Sequence, residues 1–504
     1  MAQPQVLPKE LRLTAAPTMP QARSYLFKQK STQSKYTSGQ TIQINIPRLQ
    51  RTYLTKDSYL KFNVDLNLTA GGFGGGATTT TLPGLLVALD TCGAYGLFDK
   101  IEIYDYLGST LLESISGHGQ LMALLNDTSH NQNEMSSRDQ ATLGYGQSYS
   151  VIDSSAAGYA QTAGQAYSRR LIAPVSGAAF LPSNTAVTGG TWYQAGATTV
   201  TKEFAIPVAS FLGLLSQKYA PLHNGYTIQL TLNPFSQAFI SGKVTATGTG
   251  TVAQAGFTDA ATNISVSEVY FAAQALELGP LAESMLLSST SGQPMIVPSR
   301  TYRNFNGLTT AGQTSYRLDL NLNVASMTSL LWIMRENVNY TAATYNSLGQ
   351  RVKNYLQNWN FQYGSSILPQ TTGITSTSTA AGSAAYTEAF IELLKARRNW
   401  FGNRFSGCIL NGDNFNKDVA TVTSGSMLPK SDNTVDAELA RFAAGLNLEL
   451  VPGKDIICGL NTNGMNTSIN MTFAANTVAC RVDAWCEFDS FINITPGLAT
   501  TVSF

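Results

Sequence analysis

Two stretches of near-perfect alternation constrain the fold of this chain more than anything else in it. In YLKFNVDLNLT (residues 59–69), Leu60, Phe62, Val64, Leu66 and Leu68 fall on one side and Lys61, Asn63, Asp65 and Asn67 on the other. YRLDLNLNV (316–324) does the same with Tyr316, Leu318, Leu320, Leu322 and Val324. A period of two sends successive side chains to opposite faces, so each stretch reads as a strand with one buried face. The texture recurs at 41–47, 98–106, 202–208, 226–234, 264–278, 329–337, 355–364, 403–410, 445–452, 467–473 and 480–494. Clusters of Gly, Pro, Asn and Ser bound these runs, as expected for antiparallel strands. Helical spacing is confined to 118–126, 208–219, 384–400 and 433–445. These are short inserts in an all-β chain, not the strand–helix alternation of a parallel sheet. Long polar loops are expected at 70–84, 127–200, 243–256 and 371–385.

The two halves rhyme. Each opens with a long alternating strand. Each later runs through a helical stretch and a second alternating strand, YTIQLTL and TSINMTF. Each closes on a long strand that carries acids, ISVSEVYFAAQALEL and CRVDAWCEFDSFINI. Patterning lapses at 279–299. The order predicts two β-sandwiches in tandem: a basic N-terminal arm over 1–36, a first sandwich over 37–278, a linker over 279–299 and a second sandwich over 300–504.

Charged residues make up only 12% of the 504, about half the usual share. A polar but weakly charged surface suits extensive protein–protein contact, because interface cores exclude charge. The net charge is +1, yet residues 1–56 hold nine Lys and Arg against Glu10 alone. Lys9, Arg12, Arg23, Lys28, Lys30 and Lys35 form the arm's basic set. Such an arm suits polyanions or acidic head groups, and a solvated flexible leader is the other reading. The five cysteines are odd in number and make no CxxC, so buried free thiols are expected, made in a reducing compartment. The opening residues lack a charged stretch followed by an apolar run, so no secretory signal is expected. No apolar run is long enough for a transmembrane helix.

A search for chemistry finds little. His118, His130 and His223 have no metal-type partner at helical spacing. There is no GxSxG elbow and no GxxxxGK[ST] loop, and GGFGGGA (71–77) runs into TTTTLPG where a phosphate-binding helix would have to start. Asp99, Glu102 and Asp105 read as the wet face of a strand. Cys480 and Cys486 share a strand face without further ligands. No catalytic, metal or cofactor residues are assigned.

Three segments carry a family resemblance. GLFDKIEIYDYLGSTLLESISGHGQLMALLND (96–127), SLLWIMRENVNY with NYLQNWNFQYGSSILP (329–340 and 354–369) and CRVDAWCEFDSFINI (480–494) resemble double jelly-roll major capsid proteins. In size and texture the chain is most similar to those of polinton-like viruses and virophages, within a wider group that includes tailless membrane-containing phages and adenoviruses. The resemblance implies two eight-stranded antiparallel jelly rolls and a non-enzymatic role. It implies a homotrimer forming a pseudo-hexagonal capsomer in the icosahedral shell of a double-stranded DNA virus. Neighbouring capsomers, penton proteins and minor capsid or cement proteins would be its partners, in a virion assembled inside the host cell. The arm would lie at the inner end near an internal membrane or packaged DNA, and 127–200 would be the first candidate for an outer tower. Two other readings of the residues stay open: a single jelly-roll capsid protein with a projecting domain, and a carbohydrate-binding or adhesive β-sandwich. A β-sandwich glycosidase would need a facing carboxylate pair, and none can be placed.

Overall fold

The computed structural model describes residues 22–67, 85–90, 92–106, 108, 110–130, 140–143, 171–173, 199–244, 252–253, 264–289, 294–337, 348–370, 373–378, 384–398, 408–410, 412–419, 440–450, 457–474, 477–495 and 500–504. Most of the expected loops, including nearly all of 127–200, lie outside them.

In the first half the strands of the two facing sheets are β1 (Ala22–Lys30), β2 (Lys35–Tyr36), β3 (Thr41–Ile46), β4 (Thr52–Thr55), β5 (Tyr59–Asn67), β6 (Phe98–Asp105) and β7 (Leu111–Ser116). Helix α1 (His118–Asp127) follows, then β8 (Thr199–Pro207), β9 (Tyr219–Pro221), β10 (Tyr226–Leu232) and β11 (Ile264–Leu278). Helix α2 (Pro280–Ser289) leads to the second half: β12 (Met295–Leu308), β13 (Ser315–Asp319), β14 (Met327–Glu336), β15 (Leu356–Tyr363), β16 (Ser366–Leu368), helix α3 (Thr387–Ala396), β17 (Ala444–Asn447), β18 (Thr467–Phe473), β19 (Cys480–Ile494) and β20 (Thr501–Ser503).

Each half is built on a sandwich of two antiparallel sheets, and the first half carries a further four-stranded sheet of Leu85–Leu89, Leu171–Ala173, Phe239–Val244 and Val252–Ala253. In the first, β11 pairs with β1 and β2 on one side and with β5 and β4 on the other, and β5 pairs on to β8. The facing sheet runs β3–β10–β6–β7. In the second, β12–β19–β14–β17 faces β13–β18–β15–β16. Both halves therefore share one jelly-roll strand order, and the chain is an all-β double jelly roll with short helical inserts. The cores confirm the alternation rule. Leu60, Phe62, Val64 and Leu66 of β5 are fully buried, while Lys61, Asn63 and Asp65 stay half-exposed. Phe62 meets Phe98 of the facing sheet edge-on at 5.6 Å. In the second core Trp332 of β14 meets Trp359 of β15 at 5.4 Å.

The two strands that rhyme in sequence are not equivalent in the fold. β5 sits between β11 and β8, whereas β13 ends the opposite type of sheet beside β18. The strand order makes β14 the counterpart of β5, and β3 that of β13. β14 does not alternate, because nothing from Met327 to Arg335 reaches solvent. One-sided burial writes an alternating pattern, and burial on both faces erases it. β13 is also shorter than expected. Beyond Asp319 the Leu322 N–H turns back to the Leu320 carbonyl at 2.5 Å, while Leu320, Leu322 and Val324 remain buried.

Other differences have local causes. Residues 208–219 form two 3₁₀ turns, Val208–Phe211 and Gly213–Ser216, and not one helix. Leu212 and Gly213 between them take φ of 64° and 49°, which an α-helix cannot continue through. The end of the helical stretch 433–445 is strand β17. Gly445 lets it lie against α3, since a Cβ there would meet Ala396 Cβ and Leu331 Cδ2 at 3.0 Å. Residues 22–36, read as part of the arm, form β1 and β2, and all nine residues of β1 pair with β11. The segment 279–299 contains α2 and the start of β12.

Candidate functional site: the joint between the two sandwiches

The chemistry of this chain is concentrated where the sandwiches meet. α1 lies there, and all ten of its residues are buried, including His118, Gln120, Asn126 and Asp127. A helix buried all round needs an unusual sequence, and HGQLMALLND supplies one: its polar residues are few, His118 bonds the Ser210 carbonyl within the first sandwich, and Asp127 finds its partners across the joint. Gly117 begins the helix at φ 64°, with Trp485 Cζ2 only 3.0 Å from where a Cβ would sit. The Trp485 indole, from the outer face of β19, donates to the Ser116 carbonyl at 3.0 Å.

At the other end of α1, the Asp127 carboxylate bridges two arginines of the second sandwich. Arg351 Nη2 donates to Oδ2 at 2.5 Å and Arg441 Nη1 to Oδ1 at 2.7 Å. All three side chains are at most 3% exposed. The Asp127 carbonyl accepts from the Ile409 N–H at 3.1 Å, and Arg397 Nε reaches Thr128 Oγ1 at 3.2 Å. Asp90 adds a further link by accepting the Leu348 N–H at 3.2 Å. At the far side of the joint Asn224 Nδ2 donates to the Thr495 carbonyl and to Thr500 Oγ1, both at 3.1 Å.

Glu113 of β7 is the most perturbed acid here. Its carboxylate accepts from Thr301 Oγ1 of β12 at 2.5 Å and from the Leu214 N–H at 3.0 Å. No cation pairs with it among the described residues. A cavity of about 490 Å³, also lined by Arg303, Asn321, Phe488 and Phe504, opens beside it. Burial pushes the Glu113 carboxyl up to about 7, against an ordinary 4.5, although both hydrogen bonds favour the ionised form. Burial pulls His118 down to about 4, opposed by its bond to the Ser210 carbonyl, so the ring is neutral at pH 7.

The Glu113 shift gives a testable pH dependence. Between pH 4.5 and about 7 the folded state holds a proton that the unfolded chain releases. Stability from this group therefore falls as pH rises through that window, by about 1.4 kcal/mol per pH unit. Glu113→Gln removes the term and leaves His118 unchanged. The melting temperature of Glu113→Gln minus that of wild type should climb from pH 5 to pH 7.5. A difference that stays flat across that range would refute the assignment.

The basic set is placed differently. Lys9 and Arg12 lie outside the described residues. Arg23, Lys28 and Lys30 are on β1 and Lys35 is on β2. Arg23 Nε pairs with Glu277 Oε2 at 2.6 Å, and Lys28 Nζ lies 4.9 Å from the Tyr270 ring centre. These four are thus carried by β1 and β2, the two edge strands beside β11. All five cysteines are free thiols, with Cys408 the one not fully buried. The residues that make the joint were absent from the sequence reading. The available signal was charge inside apolar text, such as Glu113 in LLESIS and Asp127 closing QLMALLND.

No protein-family model matches the chain, and no curated protein matches it by sequence. Solved structures do match by shape. One is a chain of the Sputnik virophage, at 14% identity and a TM-score of 0.54, covering 100% of this chain and 93% of that one. Another is a chain of the PBCV-1 virus capsid, at 11% identity and a TM-score of 0.50, covering 96% and 97%. The likeness spans both sandwiches in each case and concerns the fold.

Proposed function

We propose that this chain is a major capsid protein, a structural building block and not an enzyme. The observation that carries the reading is the joint: two jelly rolls of one strand order, locked side by side by buried polar links within a single chain. That makes a rigid two-sandwich block, the unit a tiling shell needs. The shared fold with chains of the Sputnik virophage and the PBCV-1 capsid supports the same reading.

Three copies would then set six sandwiches around a threefold axis and give a pseudo-hexagonal capsomer for the icosahedral shell of a double-stranded DNA virus. Penton and minor capsid or cement proteins would complete the shell of the virion. The chain would divide into an N-terminal basic segment, two sandwiches and a short linker around α2. Lys9 and Arg12, with Arg23, Lys28, Lys30 and Lys35 on the adjoining edge, would face a membrane or packaged DNA at the inner end.

Light scattering on freshly purified protein tests this. The expected mass is three times 54.0 kDa, about 162 kDa, stable to dilution and salt. A persistent 54.0 kDa monomer at micromolar concentration would overturn the proposal.

A further inference from the structure

Helix α2 is built inside out. Its one charged residue, Glu283, is buried: Oε1 lies 2.5 Å from His223 Nε2, and Oε2 accepts from the Tyr53 hydroxyl at 3.1 Å. Leu281 and Met285, one turn apart on the outward face, are 61% and 62% exposed, and Leu286 is 39% exposed. A helix on an ordinary protein surface does the reverse, with its apolar stripe on the core and its charges in water. The Glu283 anchor fixes the orientation, because rolling the helix over would strip a buried carboxylate of both partners.

The same end of the molecule gathers further apolar and cationic groups. Leu278, just before α2, donates its N–H to the Arg51 carbonyl at 2.8 Å and pairs with Ala22, the neighbour of Arg23. Arg48 Nε donates to the Asn224 carbonyl at 3.2 Å, next to His223, and its guanidinium lies 5.3 Å from the Tyr106 ring centre. Across the joint, Ile296 pairs with Asn493, two residues before the Thr495 that Asn224 holds. Tyr106 is 40% and Ile296 61% exposed. The end face thus carries Leu281, Met285, Leu286, Ile296 and Tyr106, bordered by Arg23, Arg48 and Arg51. Glu277 pairs with Arg23 at 2.6 Å and with Arg51 at 3.8 Å, which leaves the border with an excess of positive charge.

We propose that this end face docks on an anionic lipid surface. Helix α2 lies in the plane of the interface, with its aliphatic side chains below the head groups and the three arginines among their phosphates. Nucleic acid offers phosphates but no apolar layer to receive Leu281 and Met285. A second copy meeting the face head-on would set arginine against arginine. Tyr106 beside Arg48 is a pairing suited to the head-group level, where an amphipathic ring and a cation both find partners. The inference rests on the capsid reading only for the enclosed side on which lipid would lie. It chooses lipid over DNA there and names the side chains that enter it.

The test floats the full-length chain through a density gradient with vesicles of phosphatidylcholine, alone or mixed with phosphatidylglycerol. Wild type should bind the mixed vesicles about tenfold more tightly than the neutral ones. Leu281→Ser with Met285→Ser should weaken that binding by about tenfold. Arg23→Gln with Arg51→Gln should remove the preference for the mixed vesicles. Leu308→Ser, at a side chain 60% exposed at the opposite end of β12, should change neither. Melting temperatures matching wild type show that each variant folds. Wild type that floats with neither vesicle, or a double serine variant that floats as well as wild type, would overturn the lipid assignment, and a trimer in light scattering would leave the capsid reading standing. A monomer that floats with the mixed vesicles would overturn the capsid reading while the lipid site stands.

Discussion

Asp127→Asn is expected to lower the unfolding free energy by about 3–5 kcal/mol, read as a fall in the urea midpoint. The amide keeps the shape of the carboxylate and removes its charge. Arg351, fully buried, and Arg441, 3% exposed at its side chain, then face each other across a neutral group. A buried cation without its counter-ion bears most of its desolvation cost, and that sets the size of the effect. The pair also ties the end of α1 to the second sandwich, so the variant should unfold in two resolved steps where wild type unfolds in one. Replacing all three residues together, Asp127→Leu with Arg351→Met and Arg441→Met, should restore most of the loss, because no unpaired charge remains. A midpoint shift worth less than about 1 kcal/mol for Asp127→Asn would show that the joint does not depend on this cluster.

Trp332→Ala is expected to cost about 3–5 kcal/mol by a different route. Trp332 is fully buried at the centre of the second sandwich. Its ring meets Trp359 at 5.4 Å and Phe442 at 5.8 Å, both edge-on. Truncation leaves a cavity bounded by rigid rings, Trp359 on β15 and Phe442 just before β17, and these cannot close over it. Trp332→Phe should cost less than half as much. It keeps an aromatic edge in place and removes an indole N–H that has no hydrogen-bond partner among the described residues. Calorimetry of the two variants separates the effects: the single unfolding transition should fall further for Ala than for Phe. Equal losses for Ala and Phe would mean that ring packing is not what Trp332 contributes.

The strands were legible in the sequence wherever burial is one-sided. The bounds of β11, β18 and β19 were read to the residue, and β3, β5, β6 and β10 to within two. α1 and α3 were legible from helical spacing. What was not legible has physical causes. β14 was read as a strand at 329–337, but burial on both faces leaves its text without alternation, so the rhyme of 59–69 with 316–324 paired strands from opposite types of sheet instead. The two 3₁₀ turns at 208–216 follow from positive φ at Leu212 and Gly213, which hydrophobic spacing does not encode. Strand β1 was hidden because ARSYLFKQK is exposed along most of its length and reads as a basic leader.

By itself the sequence determined that this is a chain of antiparallel strands, repeated in two halves, with too little charge for an ordinary surface. Period-two burial is a local property, and each strand records its own. The pairing of Asp127 with Arg351 and Arg441, of Glu113 with Thr301, and of Trp485 with Ser116 joins residues 188 to 369 positions apart. No local pattern marks such partners, because their meeting depends on how two finished sandwiches pack. Only the tertiary structure decided that, and it made two jelly rolls into one block.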